Sequence, residues 1–169
     1  MSQDYELAVV PISTLVPVQQ FMTQEIQLTA VMGVIPTQEL TEVLASPWAK
    51  ADGWQVMTAG RLYQRQLAAG VELELAISEH GVVSLRRATT GVEVEGDLVG
   101  KTAAEQQALL QAVEPEYNRS IGELVGRTIA AALPRVAAEQ GYKVLQTTDI
   151  VQNNEVHGIE VRLVVSMGG

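Results

Sequence analysis

The chain has 169 residues, 47% of them hydrophobic, and a formal charge of −9 from 11 Lys plus Arg against 20 Asp plus Glu. Such a field repels phosphate backbones and anionic lipid, so nucleic acid and membrane surfaces are poor partners; with no cysteine there is no disulfide, thiolate nucleophile or Cys-bound metal. One Phe, two Trp and four Tyr leave the core to Val, Leu, Ile and Ala, and the length suits one domain over 1–169, with a frayed tail at 167–169.

The opening residues Met1-Ser-Gln-Asp-Tyr-Glu-Leu lack the cationic and apolar regions of a signal peptide. No run approaches the roughly 18 apolar residues of a membrane span. The expectation is a soluble cytoplasmic protein.

Tyr5 to Ile12 and Ile26 to Val34 read as strands, with Val18 to Glu25 ambiguous between them. Thr37 to Ala45 reads as a short helix with Leu40, Val43 and Leu44 on one face, stopped by Pro47. Trp54 to Thr58 suits a strand, and Arg61 to Ala69 suits either a strand or a helical turn. Val71 to Ile77 alternates, placing Val71, Leu73, Leu75 and Ile77 inward and Glu72 and Glu74 outward. A turn at His80-Gly81 then returns the chain through Val82 to Arg87, making a hairpin. Val92 to Glu95 is a further short strand.

Thr102-Ala-Ala-Glu105 is a capping-box pattern that opens a helix expected to end at Pro115. Ser120-Ile-Gly-Glu123 repeats it and opens a second helix to Gln140, with Gly141 where a C-terminal cap belongs and Pro134 inside. Tyr142 to Val151 and Val156 to Ser166 form a last hairpin around a loop containing Asn153 and Asn154. The sum is an α+β fold, mainly an antiparallel sheet with two or three helices on one face.

Gly96-Asp-Leu-Val-Gly-Lys-Thr102 has the order of a phosphate-binding loop: strand, glycine loop, Lys101, then the Thr102 hydroxyl at a helix start. Its spacing is short by one. The first glycine belongs at position 95, which is Glu95, and Gly96 leaves only three residues before Gly100. A shorter ring of amides with a carboxylate beside it is a poor anion cradle, whereas Thr102 as a helix cap explains the same residues.

Other sites are thinner. His80 and His157 are the only histidines and show no metal-ligand spacing. Glu72, Glu74, Glu93 and Glu95 read as the wet face of strands, with Arg86 and Arg87 as partners, rather than as acid and base groups. No Ser, His and Asp combination stands in a nucleophile elbow. Gly122 and Gly126 permit a close helix approach. No catalytic residue, metal or cofactor is assigned.

From Ile129 to Val165 the alanine-rich helix, "EQGYKV", polar loop and "IEVRLVV" are similar to the C-terminal part of a family of small uncharacterised proteins of cyanobacteria and chloroplasts, grouped under a domain-of-unknown-function label. Gln140, Gly141, Tyr142, Val144, Arg162, Leu163 and Val164 carry the resemblance, over less than a quarter of the chain. It implies fold and compartment, not activity.

The leading expectation is therefore a non-catalytic accessory or assembly protein that binds another protein or itself, most simply as a dimer. A nucleotide-binding module or enzyme using Gly96, Gly100, Lys101 and Thr102 is the alternative. Interface candidates are Trp48 and Trp54, which flank a loop, and Val161 and Leu163 on a final strand read as an open edge.

Overall fold

The computed structural model describes residues 5–11, 17–28, 36–87 and 102–165. In chain order these form β1 (Tyr5–Pro11), α1 (Val18–Thr23), β2 (Ile26–Gln27), α2 (Thr37–Leu44) and α3 (Pro47–Asp52). Then come β3 (Gln55–Thr58), β4 (Leu62–Gln66), a 3₁₀ turn (Ala68–Gly70), β5 (Glu72–Ile77), β6 (Val83–Arg87), α4 (Ala103–Glu139), β7 (Tyr142–Gln152) and β8 (Glu155–Val165). The fold is α+β with antiparallel sheets, as the alternation and hairpin signals imply. The expected strand at 92–95, most of that at 26–34 and the tail at 167–169 lie outside the described residues. Among the described residues no helix is long and apolar enough to cross a membrane.

One sheet has five strands in the order β2-β6-β5-β4-β3, and the other has three, β1-β8-β7. The β5–β6 hairpin turns at His80-Gly81, where Ser78 Oγ accepts from the Val82 N–H at 3.0 Å. As the alternation predicts, Val71, Leu73, Leu75 and Ile77 are all buried. Glu74, expected to point into water, is buried too. Arg86 stands opposite it in register and donates from Nε to Glu74 Oε1 at 2.7 Å, and Gln64 donates at 3.0 Å, so the carboxylate trades water for protein donors.

Pro47 ends α2 and starts α3, where its missing N–H costs nothing. Ser46 caps α3, accepting from the Ala49 N–H at 3.4 Å. Asn153 and Asn154, with φ of 53° and 64°, make a two-residue turn of the kind whose twist matches a hairpin, between β7 and β8.

The largest departure from expectation is α4. It runs 37 residues without a break through both Pro115 and Pro134, where two helices were expected. A proline inside a helix costs about 3 kcal/mol. Burying each of Val113, Tyr117, Ile121 and Leu124 returns about 1.5–3 kcal/mol, so continuous packing outweighs one lost hydrogen bond. Ser120 is consequently no cap; it is buried in mid-helix.

The length of α4 lets one helix serve two cores. Its first half packs on the five-stranded sheet with α1 and α2, and the Tyr117 and Phe21 rings stack with centroids 4.9 Å apart. Its second half packs Ala130 and Leu133 on Ile159, Val161, Val144 and Leu163 of the three-stranded sheet.

That packing corrects the reading of the final strand. β8 is the central strand of its sheet, with Ala8 of β1 and Thr147 of β7 both opposite Val161. Val161 is fully buried and Leu163 partly so, because α4 covers the face they share. Among the described residues the edges of this sheet are β1 and β7.

Candidate functional site

Glu116, Arg119, Glu123 and Arg127 recur every three or four residues on α4, so they form one charged stripe along the helix. Facing it are Asp52 at the end of α3 and Arg65 on β4, each with only 4% of its side chain exposed. Arg65 donates from Nε to Asp52 Oδ2 at 3.1 Å, and from Nη1 to Glu116 Oε1 at 2.7 Å and to the Gln66 carbonyl at 2.9 Å. Asp52 also accepts from Ser120 Oγ at 2.7 Å and from Arg119 Nη2 at 2.7 Å. Arg119 reaches Glu123 at 3.4 Å, and Arg127 donates to Glu123 at 2.7 Å and to Asp149 of β7 at 3.0 Å. Charges of alternating sign thus run from β4 across α4 to β7, joining the two sheets.

Burial raises the pKa of the Asp52 carboxyl, but the hydrogen bonds from Ser120, Arg65 and Arg119 outweigh it and hold the group below the usual carboxylate value. Burial likewise pulls down Arg119 and Arg127, and their carboxylate partners more than reverse it, Asp52 for Arg119 and Glu123 with Asp149 for Arg127. Each of these carboxylates is held by at least one guanidinium, so the ladder offers a brace rather than a free base. Ser120 gives its proton to Asp52, and neither histidine belongs to the ladder: His80 is in a hairpin turn and His157 lies 4.0 Å from Glu155.

Beside Arg127 the ladder opens into a cleft of about 340 Å³. One wall is the corner between α2 and α3, with Val43, Pro47 and Trp48. A second is α4, through Arg127, Ala130 and Ala131, and the sheet closes it with Thr147, Asp149 and Ile159. The Arg127 guanidinium lies 5.2 Å from the centre of the Trp48 ring, a cation–π contact that fixes the indole at the cleft wall.

No family model, curated protein or solved structure matches this chain.

Of the interface candidates, Trp48 is half-buried and lines the cleft, whereas Trp54 is buried in the larger core with 5% of its surface exposed. Thr102 caps α4: its hydroxyl accepts from the Glu105 N–H at 3.1 Å and Glu105 Oε1 accepts from the Thr102 N–H at 3.0 Å. Gly96, Gly100 and Lys101 lie outside the described residues. Gly122 and Gly126 are buried within the chain. Asp149 is the Arg127 partner at the cleft. Among the described residues no group of three or more His, Asp or Glu could hold a metal ion.

Sequence reading missed the ladder. Its one legible signal was the spacing of Arg119, Glu123 and Arg127 at successive fourth positions, which alone reads as a solvated helix face.

Proposed function

We propose that this protein is a non-catalytic accessory or assembly protein that binds another protein chain, and that the partner adds as a strand to β7. The observation that carries this reading is the edge itself. β7 is 11 residues long and, among the described residues, pairs on one side only, with β8. Unpaired strand N–H and C=O groups are a ready template for another chain. Between register irregularities at Val144/Gln146 and Ile150/Val151 the stretch Gln146 to Ile150 is regular, and Leu145 and Val151 at its ends are 47% and 58% exposed.

The other described edges are less inviting. β3 has four residues and a register shift, β2 has two, and β1 ends at Pro11. Short, bulged or proline-ended edges resist strand addition. Self-association through β7, as a two-fold dimer, is one form of the same reading.

Light scattering and affinity capture from native cells test it, using the wild-type chain and the double variant Leu145→Lys/Thr148→Lys. The expected result is a captured protein, or a mass above 18.2 kDa, that the wild type shows and the variant loses. A monomer that captures nothing, or full retention of the partner by the variant, overturns the reading.

A further inference from the structure

The cleft and the β7 edge are neighbours, and their relation specifies what kind of strand fits. Thr147 and Asp149 stand opposite Val161 and Ile159, which face α4, and both line the cleft. Side chains alternate across a strand, and paired residues of neighbouring strands share a face. A strand laid on the free side of Gln146 to Ile150 therefore directs the side chain opposite Thr147 or Asp149 towards the cleft and the α2–α3 corner.

Resting on the strand-addition reading above, we infer that the cleft is the specificity pocket for one uncharged, apolar side chain, of leucine or phenylalanine kind, on an extended segment of another protein. The argument from charge is direct. Arg127 and Asp149 are the ionic groups lining the cleft; they close on each other at 3.0 Å, and Arg127 is further held by Glu123. A charged side chain entering there would lose water and find no free counter-ion. The chain's −9 also repels an acidic segment at range.

The remaining lining is Ser46, whose hydroxyl donates to the Val43 carbonyl at 2.6 Å, Thr147, and the apolar Val43, Pro47, Trp48, Ala130, Ala131 and Ile159, against which an aliphatic or aromatic group gains contact area. At about 340 Å³ the space is at the small end of the roughly 300–1,000 Å³ of ligand pockets, and it is large enough to take a leucine or phenylalanine side chain. A second copy fills it poorly. The β7 residues at this place are Thr147 and Asp149, and Val144 is already packed under its own helix.

The test is amide NMR on the ¹⁵N-labelled full chain with two sets of probes. The first is toluene and isoamyl alcohol against n-butylammonium and butyrate, standing in for apolar and charged side chains. The second is the acetylated, amidated peptide Thr-Gln-Thr-X-Thr-Gln-Thr with X as Leu, Phe, Lys or Glu. Toluene and isoamyl alcohol are expected to shift Ala130, Ala131, Thr147 and the Trp48 indole N–H, and the charged probes are not. Peptides with X as Leu or Phe are expected to protect β7 amides from exchange and to bind at least about tenfold more tightly than Lys or Glu, the scale of one misfit group in an apolar pocket. Ala131→Phe, at an exposed position on the cleft wall, should erase that preference.

Apolar probes that leave the cleft amides unmoved overturn the inference. So does β7 protection that is equal for every X, which leaves strand addition standing. If apolar probes fill the cleft and no peptide protects β7, the strand reading fails and takes this inference with it.

Discussion

Arg65 and Asp52 meet at 3.1 Å with both side chains 4% exposed, so the hinge-point of the charged ladder is an ion pair almost fully removed from water. Truncating one member strands the other charge in the interior, which typically costs about 3–5 kcal/mol, whereas replacing both with apolar groups of similar size costs much less. Asp52→Leu and Arg65→Met are each expected to lower stability by about that amount, and the double variant by less than the two singly summed. Urea denaturation of the four chains checks it; additive losses would show that the pair is not coupled.

The same site sets an acid limit. Asp52 has its folded-state pKa below the unfolded value of about 3.9, so between the two the unfolded chain binds more protons. Its contribution is therefore fully present above about pH 4 and is lost as pH falls through the lower, folded value. Ser120→Ala removes one of the hydrogen bonds that hold the pKa down, and its thermal midpoint is expected to fall less steeply than the wild type's between about pH 4 and pH 2. Parallel curves would overturn the assignment.

Pro134 lies inside a continuous helix rather than at the start of a second one. Pro134→Ala restores a backbone donor and should be neutral or stabilising, by up to about 3 kcal/mol. A fall in the melting temperature would mean that the proline starts a helix after all.

At the other end, Thr102→Ala removes the hydroxyl of the capping box and should cost roughly 1 kcal/mol. Lys101→Ala should leave stability unchanged, and ATP with magnesium should give no thermal shift in the wild type or in either variant. Loss of an ATP-dependent shift on Lys101→Ala would restore the phosphate-loop reading.

Val161 distinguishes a buried strand from an edge. It packs against Ile159 and Ala130 with no exposed surface, so Val161→Lys should unfold the smaller core at a cost above about 3 kcal/mol. Thr148→Lys, on the exposed side of β7, should fall within about 0.5 kcal/mol of wild type. Chemical denaturation of both variants makes the comparison.

The sequence by itself determined what is local. Alternation placed Val71 to Ile77 on one buried face, the capping box placed the start of α4 at Thr102, Gly141 with φ of +82° ended it, and the Asn pair turned the last hairpin. Each of these depends on residues within a few positions of one another, where dihedral preference and periodicity act directly. What only the tertiary structure decided is long-range. Pro115 and Ser120 carry strong local signals for a break and a new start, yet apolar burial along one face of α4 outweighs both. Strand order is equally invisible locally: β8 has the look of an edge, and it becomes central because β1, about 150 residues earlier in the chain, pairs with its far side. The ladder and the cleft share that cause. Asp52, Arg65, Arg127 and Asp149 are far apart in sequence, and they become a brace and a cleft wall only where α3, β4, α4 and β7 converge and exclude water from between them.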